Sequence, residues 1–154
     1  MGLVDSAEGA ATHRQSFNEA AAKEVVVITL PYRFMLTGIV FAVIGMAFGI
    51  WIGTTGPSVF NYASAHAHIN LVGWVTMFLF GLWYRGTPAL AETTLAGFHY
   101  WIALVGVVCL VLGIIGSVAP STPLEPFVIP GALLTLISML IFLWTVWQGA
   151  QQKA

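Results

Sequence analysis

Between Phe34 and Tyr84 the chain carries no Asp, Glu, Lys or Arg, and the same holds from Thr93 to Leu124 and from Pro126 to Gln152. A helix needs about 20 apolar residues to cross a bilayer. Polar breaks at Gly53-Thr-Thr-Gly-Pro57, Arg85-Gly-Thr-Pro88 and Ala119-Pro-Ser-Thr-Pro-Leu-Glu-Pro126 divide these tracts. The pattern predicts an all-α integral membrane four-helix bundle with spans at about 33–53, 62–84, 96–118 and 128–148, forming one domain over 31–150. Trp51, Tyr62, Trp83, Tyr84, Tyr100, Trp101, Trp144 and Trp147 fall near span ends, where interfacial aromatics belong.

Residues 1–30 read differently, as a polar cytoplasmic arm. Thr12–Glu24 can form a short helix capped at Thr12, and Glu24 to Pro31 reads as an extended or interfacial stretch. The arm lacks the basic region followed by an apolar core that marks a signal peptide. Either a loosely held arm or a docking element for a partner fits it.

Composition agrees with the pattern: 58% of residues are hydrophobic and 7% charged. A soluble globular chain carries roughly 25% charged residues. Basic residues are few and scattered, so nothing suggests nucleic-acid binding. Arg14, Lys23, Arg33, Arg85 and Lys153 would all fall on one side of a four-span protein. The positive-inside rule then predicts both termini in the cytoplasm, and the membrane expected is a bacterial inner one. Cys109, the single cysteine, excludes an internal disulfide and reads as a small buried hydrophobe. Gly45, Gly49 and Gly53 form a G-x-x-x-G-x-x-x-G row that lets another helix approach closely, from this chain or from another.

Chemistry enters with His66 and His68 at the start of the second span. Ionisable side chains are costly in lipid and lean toward function. Two residues turn a helix by about 200°, so the two imidazoles leave nearly opposite faces and cannot chelate one ion. His66 shares its face with Asn70, Gly73 and Trp74, which is polar at the top with a flat gap at Gly73. His68 shares an apolar face with Leu71, Val72 and Val75. A greasy slot with one nitrogen ligand suits heme. A histidine near a span end can equally bond only to water or a carbonyl, and that reading stays open. His99, between Phe98 and Tyr100-Trp101, reads as an interfacial or helix-packing residue. Met35, Met46, Met77 and Met139 are dispersed and form no soft-ligand cluster for copper.

The run His66-Ala-His68-Ile-Asn-Leu-Val-Gly73-Trp-Val-Thr-Met-Phe-Leu-Phe-Gly81-Leu-Trp-Tyr84, with Pro88 beyond it and His99 after, resembles the tenth and eleventh spans of heme–copper oxidase catalytic subunits. It is most similar to the cbb-type oxidases and bacterial nitric oxide reductases. The resemblance covers Ala63 to Gly113 and implies one four-span unit of that core. It implies His66 as axial ligand of a high-spin heme and His68 as that of a low-spin heme, with heme b as cofactor. The family's three copper-binding histidines and its basic pair for the heme propionates have no counterpart here, so oxygen reduction by this chain alone is not expected.

The expectation is therefore a heme b-binding membrane protein, with His66, His68, Asn70, Gly73 and Trp74 at the site, serving electron transfer or binding of NO or O₂ in a respiratory or denitrifying membrane. The alternative is a non-catalytic accessory or assembly subunit of a respiratory complex. Because His66 and His68 of one copy cannot meet on one iron, a homo-oligomer is expected. A trimer comes first and a dimer second, with His66 of one copy facing His68 of the next.

Overall fold

The computed structural model describes residues 29–119 and 122–151. The expected features of the N-terminal arm before Thr29 lie outside the described residues. The described part is helical throughout, and four helices are long and apolar enough to cross a membrane: Leu30–Thr55, Pro57–Gly86, Thr94–Val118 and Glu125–Gln151. Each extends a few residues beyond its predicted span. The ends follow local chemistry. Pro31 sits in the first turn of the first helix, where its missing N–H costs nothing. Gly56 ends that helix with φ of 94°, a conformation that suits glycine. Thr93 caps the third helix by accepting the Ala96 N–H at 3.2 Å.

Lipid is as apolar as leucine, so burying hydrophobic side chains does little to join helices within it. Close backbone approach does more, and the glycines show where it occurs. Along the first and second helices, a methyl added to Gly81 would meet Met35 and the Pro31 carbonyl, and one at Gly38 would meet the Trp74 carbonyl at 3.0 Å. Farther along, Gly73 lies under the Phe41 ring, Gly45 under Asn70 and Gly49 under His66. This antiparallel pair answers the question left by the glycine row. Gly45 and Gly49 receive the second helix of the same chain, whereas Gly53 meets nothing within 4 Å.

The third and fourth helices form a second antiparallel pair. Gly116 lies against Leu124 and Glu125, Gly113 against Phe127 and Val128, Gly131 against the Leu110 backbone, and Gly106 against Leu134 and Thr135. The inward positions of the fourth helix are Gly131, Thr135, Ser138, Phe142, Thr145 and Gly149, all buried or half-buried. Their alternating spacing of four and three keeps one seam facing the partner helix. Its other faces, including Ile129, Leu136 and Leu143, are exposed.

Two clusters join the pairs. Phe34, Met77, Phe80, Tyr84, Leu90, Ala96 and Ala103 form the larger, and Ile69, Val107 and Val111 the smaller. Tyr84 is a correction to the expected belt of interfacial aromatics: it is fully buried, stacked on Phe34 at 5.6 Å. Trp101, Trp144 and Trp147 are exposed. Cys109 is half-buried, less enclosed than expected.

The second helix is not uniform. It opens as a 3₁₀ turn over Pro57–Tyr62, runs as α-helix over Ala63–His68, widens to a π-helix over Ile69–Thr76, and returns to α-helix over Met77–Gly86. The wide turns put Ala65, Ile69, Gly73 and Met77 on one buried line, four residues apart at every step. An α-helix would let that line drift. The Thr76 hydroxyl donates to the Leu71 carbonyl five residues back, at 2.8 Å. That bond suits the i→i+5 pattern of a π-helix, a form often found at functional sites.

Candidate functional site

Both site histidines stand on the short α-helical piece before the wide turns. His66 points into the seam with the first helix, its Nδ1 3.0 Å from the Gly45 carbonyl oxygen. A carbonyl only accepts, so Nδ1 carries the proton and Nε2 keeps its lone pair. The Asn70 amide also lies 3.4 Å from that Nδ1. Both groups are then donors, so this is contact without a bond. Asn70 instead donates to the His66 carbonyl oxygen at 2.9 Å. The ring lies across Gly49, where an added methyl would come within 2.6 Å of Cε1.

His68 points elsewhere. Its Nδ1–H donates to the Ser64 carbonyl oxygen one turn back, at 2.8 Å. It is half-buried and shares its side of the helix with Leu71, 62% exposed, and Val75, 37% exposed. Among the described residues, neither Nε2 has a hydrogen-bond partner. One turn before His68, Ser64 forms one wall of an open cavity of about 560 Å³ that neither His66 nor His68 lines. Ile114, Ser117, Val118, Glu125 and Ile129 close its other sides. The volume lies in the range of cofactor sites.

The remaining site residues divide. Asn70 ties down the His66 turn. Gly73 corrects one expectation: the flat gap expected there is filled by the Phe41 ring of the first helix. Trp74 is 40% exposed, while its carbonyl meets Gly38 in the seam.

A second polar cluster sits deep in the bundle, and the sequence reading did not assemble it. His99 is fully buried. Its Nδ1 lies 2.9 Å from the Tyr84 hydroxyl and its Nε2 3.1 Å from Ser138 Oγ. Three helices thus meet on one imidazole, walled by Phe34, Phe80 and Phe142 with ring centroids 4.6–6.3 Å away. Nearby, the Thr37 and Tyr100 hydroxyls pair at 3.0 Å. The available signal was periodicity: Thr135, Ser138 and Thr145 are polar residues three and seven apart along the greasy middle of the fourth helix.

Compared with known proteins, the chain matches no family, no curated protein and no solved structure. The site geometry therefore carries the functional reading.

Proposed function

We propose that this chain is a heme b-binding membrane protein related to one four-span unit of the heme–copper oxidase core, serving electron transfer or binding of NO or O₂. The observation that carries the reading is the common posture of His66 and His68. Each gives its Nδ1–H to a backbone carbonyl and keeps the Nε2 lone pair for another partner. A second-shell bond of this kind fixes the tautomer of ligating histidines and makes the free nitrogen more basic. The described residues gather no group of three His, Cys, Asp or Glu. A bare metal ion needs such a group, whereas heme iron takes one or two protein ligands and is otherwise held by apolar contact.

His68 fits the group better. The apolar residues beside it, Leu71 and Val75, are exposed, while His66 is wedged on Gly49. Heme, when bound, supplies the one-electron and gas-binding chemistry. His68 would hold it from one side. A second copy in a trimer or dimer, or a subunit of a respiratory complex, would complete the coordination. The basic residues support cytoplasmic termini, which would put the histidine end toward the outer face of a bacterial inner membrane.

The wedged posture of His66 supports a second reading, an accessory subunit whose histidines only hold helices together. One spectrum separates the two. Protein purified in detergent from heme-replete cells is expected to show a Soret band and sharp reduced α and β bands. A colourless protein would favour the accessory role.

A further inference from the structure

We propose that the cleft between the start of the first helix and the end of the second binds the headgroup of a phospholipid that carries a primary ammonium, with the phosphate on Arg85 and the ammonium on Glu92. This stands apart from the heme reading, since it uses different residues at the other end of the second helix. The cleft measures about 270 Å³. Arg85 and Glu92 both line it, yet among the described residues neither is held in an ion pair. Opposite charges that line one space without closing on each other leave that space dipolar, and a zwitterion complements it.

The depth is that of headgroups. Leu30 and Pro31 open the first membrane helix, and Arg85 stands in the last turn of the second. Charge first returns to the chain there, after the uncharged run from Phe34 to Tyr84. The loop beyond is anchored. Pro88 starts a short helix, Pro88–Ala91, whose Leu90 is 5% exposed and packs in the larger core cluster. The Ala91 N–H donates to the Thr87 carbonyl oxygen at 3.2 Å, and the Thr87 hydroxyl donates to that of Trp83 at 2.9 Å. Glu92 follows directly, and Thr93 after it caps the third helix. Both charges are thus set on fixed backbone while their side chains stay exposed. Such preorganisation lowers the cost of binding.

The chemistry of the walls selects the head. The Arg85 guanidinium lies over the ring of Tyr32, another lining residue, 5.9 Å from its centroid, which restrains it at the cleft wall. Its planar N–H groups suit two oxygens of one phosphate. The Glu92 carboxylate only accepts, so it needs a donor, and a primary ammonium brings three N–H groups. A quaternary ammonium brings none, and an uncharged glycerol head leaves the carboxylate without a counter-charge. Leu30, Pro31 and Pro88 add apolar lining suited to the first carbons of the lipid. The volume lies just below that of sites for whole small molecules, so it takes a headgroup while the acyl chains stay in the bilayer.

Native mass spectrometry of the full chain in detergent, titrated with dioleoyl phosphatidylethanolamine, phosphatidylcholine or phosphatidylglycerol, tests this. The three lipids share their acyl chains, so differences report the headgroup. The wild-type chain is expected to bind the ethanolamine lipid about fivefold tighter than either of the others, the upper weight of one exposed charge pair. Glu92→Gln keeps the shape of the side chain and is expected to erase that preference. Arg85→Ala is expected to weaken the binding of all three lipids about fivefold. Circular dichroism checks the helical content of each variant, and if Arg85→Ala loses it, Glu92→Gln decides. Equal binding of the three lipids by the wild-type chain would overturn the proposal. So would a preference that survives Glu92→Gln, or phospholipid binding untouched in a folded Arg85→Ala chain. Residues 1–28, which join the cleft wall at Thr29, are the competing occupant. If they fill the cleft, the full chain shows no headgroup preference and the proposal falls.

Discussion

Replacing Gly131 by alanine tests the close-packed seam of the third and fourth helices, because the structure fixes what the new methyl would strike. It would fall inside contact distance of the Leu110 amide nitrogen and 2.7 Å from the Cys109 carbonyl carbon. Both atoms are backbone and cannot swing aside, so the helices must separate. Overpacking of this kind costs about 1–3 kcal/mol. Alanine also favours the helix over glycine by about 1 kcal/mol. That gain must be removed from the comparison, and Gly97→Ala does so. Gly97 lies in the third helix with nothing within 4 Å of the added methyl. The propensity gain is common to both variants, so their difference in stability isolates the clash. Reversible unfolding in mixed dodecyl sulfate micelles, followed by circular dichroism, is expected to place Gly131→Ala about 2 kcal/mol below Gly97→Ala, some thirtyfold in the folding equilibrium. Equal stability would refute the backbone contact between these helices.

His68→Ala is expected to abolish the low-spin heme spectrum, while His99→Ala leaves it intact at a cost in stability; the opposite result would move the heme site to the buried cluster. A cysteine at Ser58 is expected to react with an impermeant maleimide from outside the cell and one placed after Lys153 is not, and reversed labelling would overturn the orientation. Co-expression of His66→Ala and His68→Ala chains, each colourless by itself, is expected to restore part of the six-coordinate spectrum if neighbouring copies share ligands. A monomer by native mass spectrometry that keeps a bis-histidine heme would exclude sharing.

Four spans were legible because charge is excluded from lipid, so Arg85 and Glu125 mark breaks without any knowledge of packing. The glycine row announced a close approach, yet only the fold shows that His66 and Asn70 are what it receives. Simple helical arithmetic placed His66 and His68 on different sides because both precede the wide turns. The same arithmetic misread Gly73, since a small residue signals room but cannot say whether Phe41 already occupies it. Tyr84 looked like a membrane-facing aromatic because nearness to a span end does not tell which side chains turn inward. Its partner, His99, lies across a loop, and Ser138, which meets the same imidazole, lies on another helix. No one-dimensional pattern joins three such positions.

The π-helical stretch has a consequence for how the second helix tolerates change. It works as a coupling between two shafts, setting the angle of the histidine end independently of the Tyr84 end. Restoring α-helical winding over Ile69–Thr76 with every residue kept would tighten the coil and turn one end against the other by about 100°. The span would remain as greasy and nearly as long, so insertion into the membrane would proceed as before. His66 would leave the groove at Gly45 and Gly49, or Tyr84 would leave His99, since one rigid rod cannot satisfy both alignments. A reading frame of grease would be preserved while the angular address of the chemistry was lost.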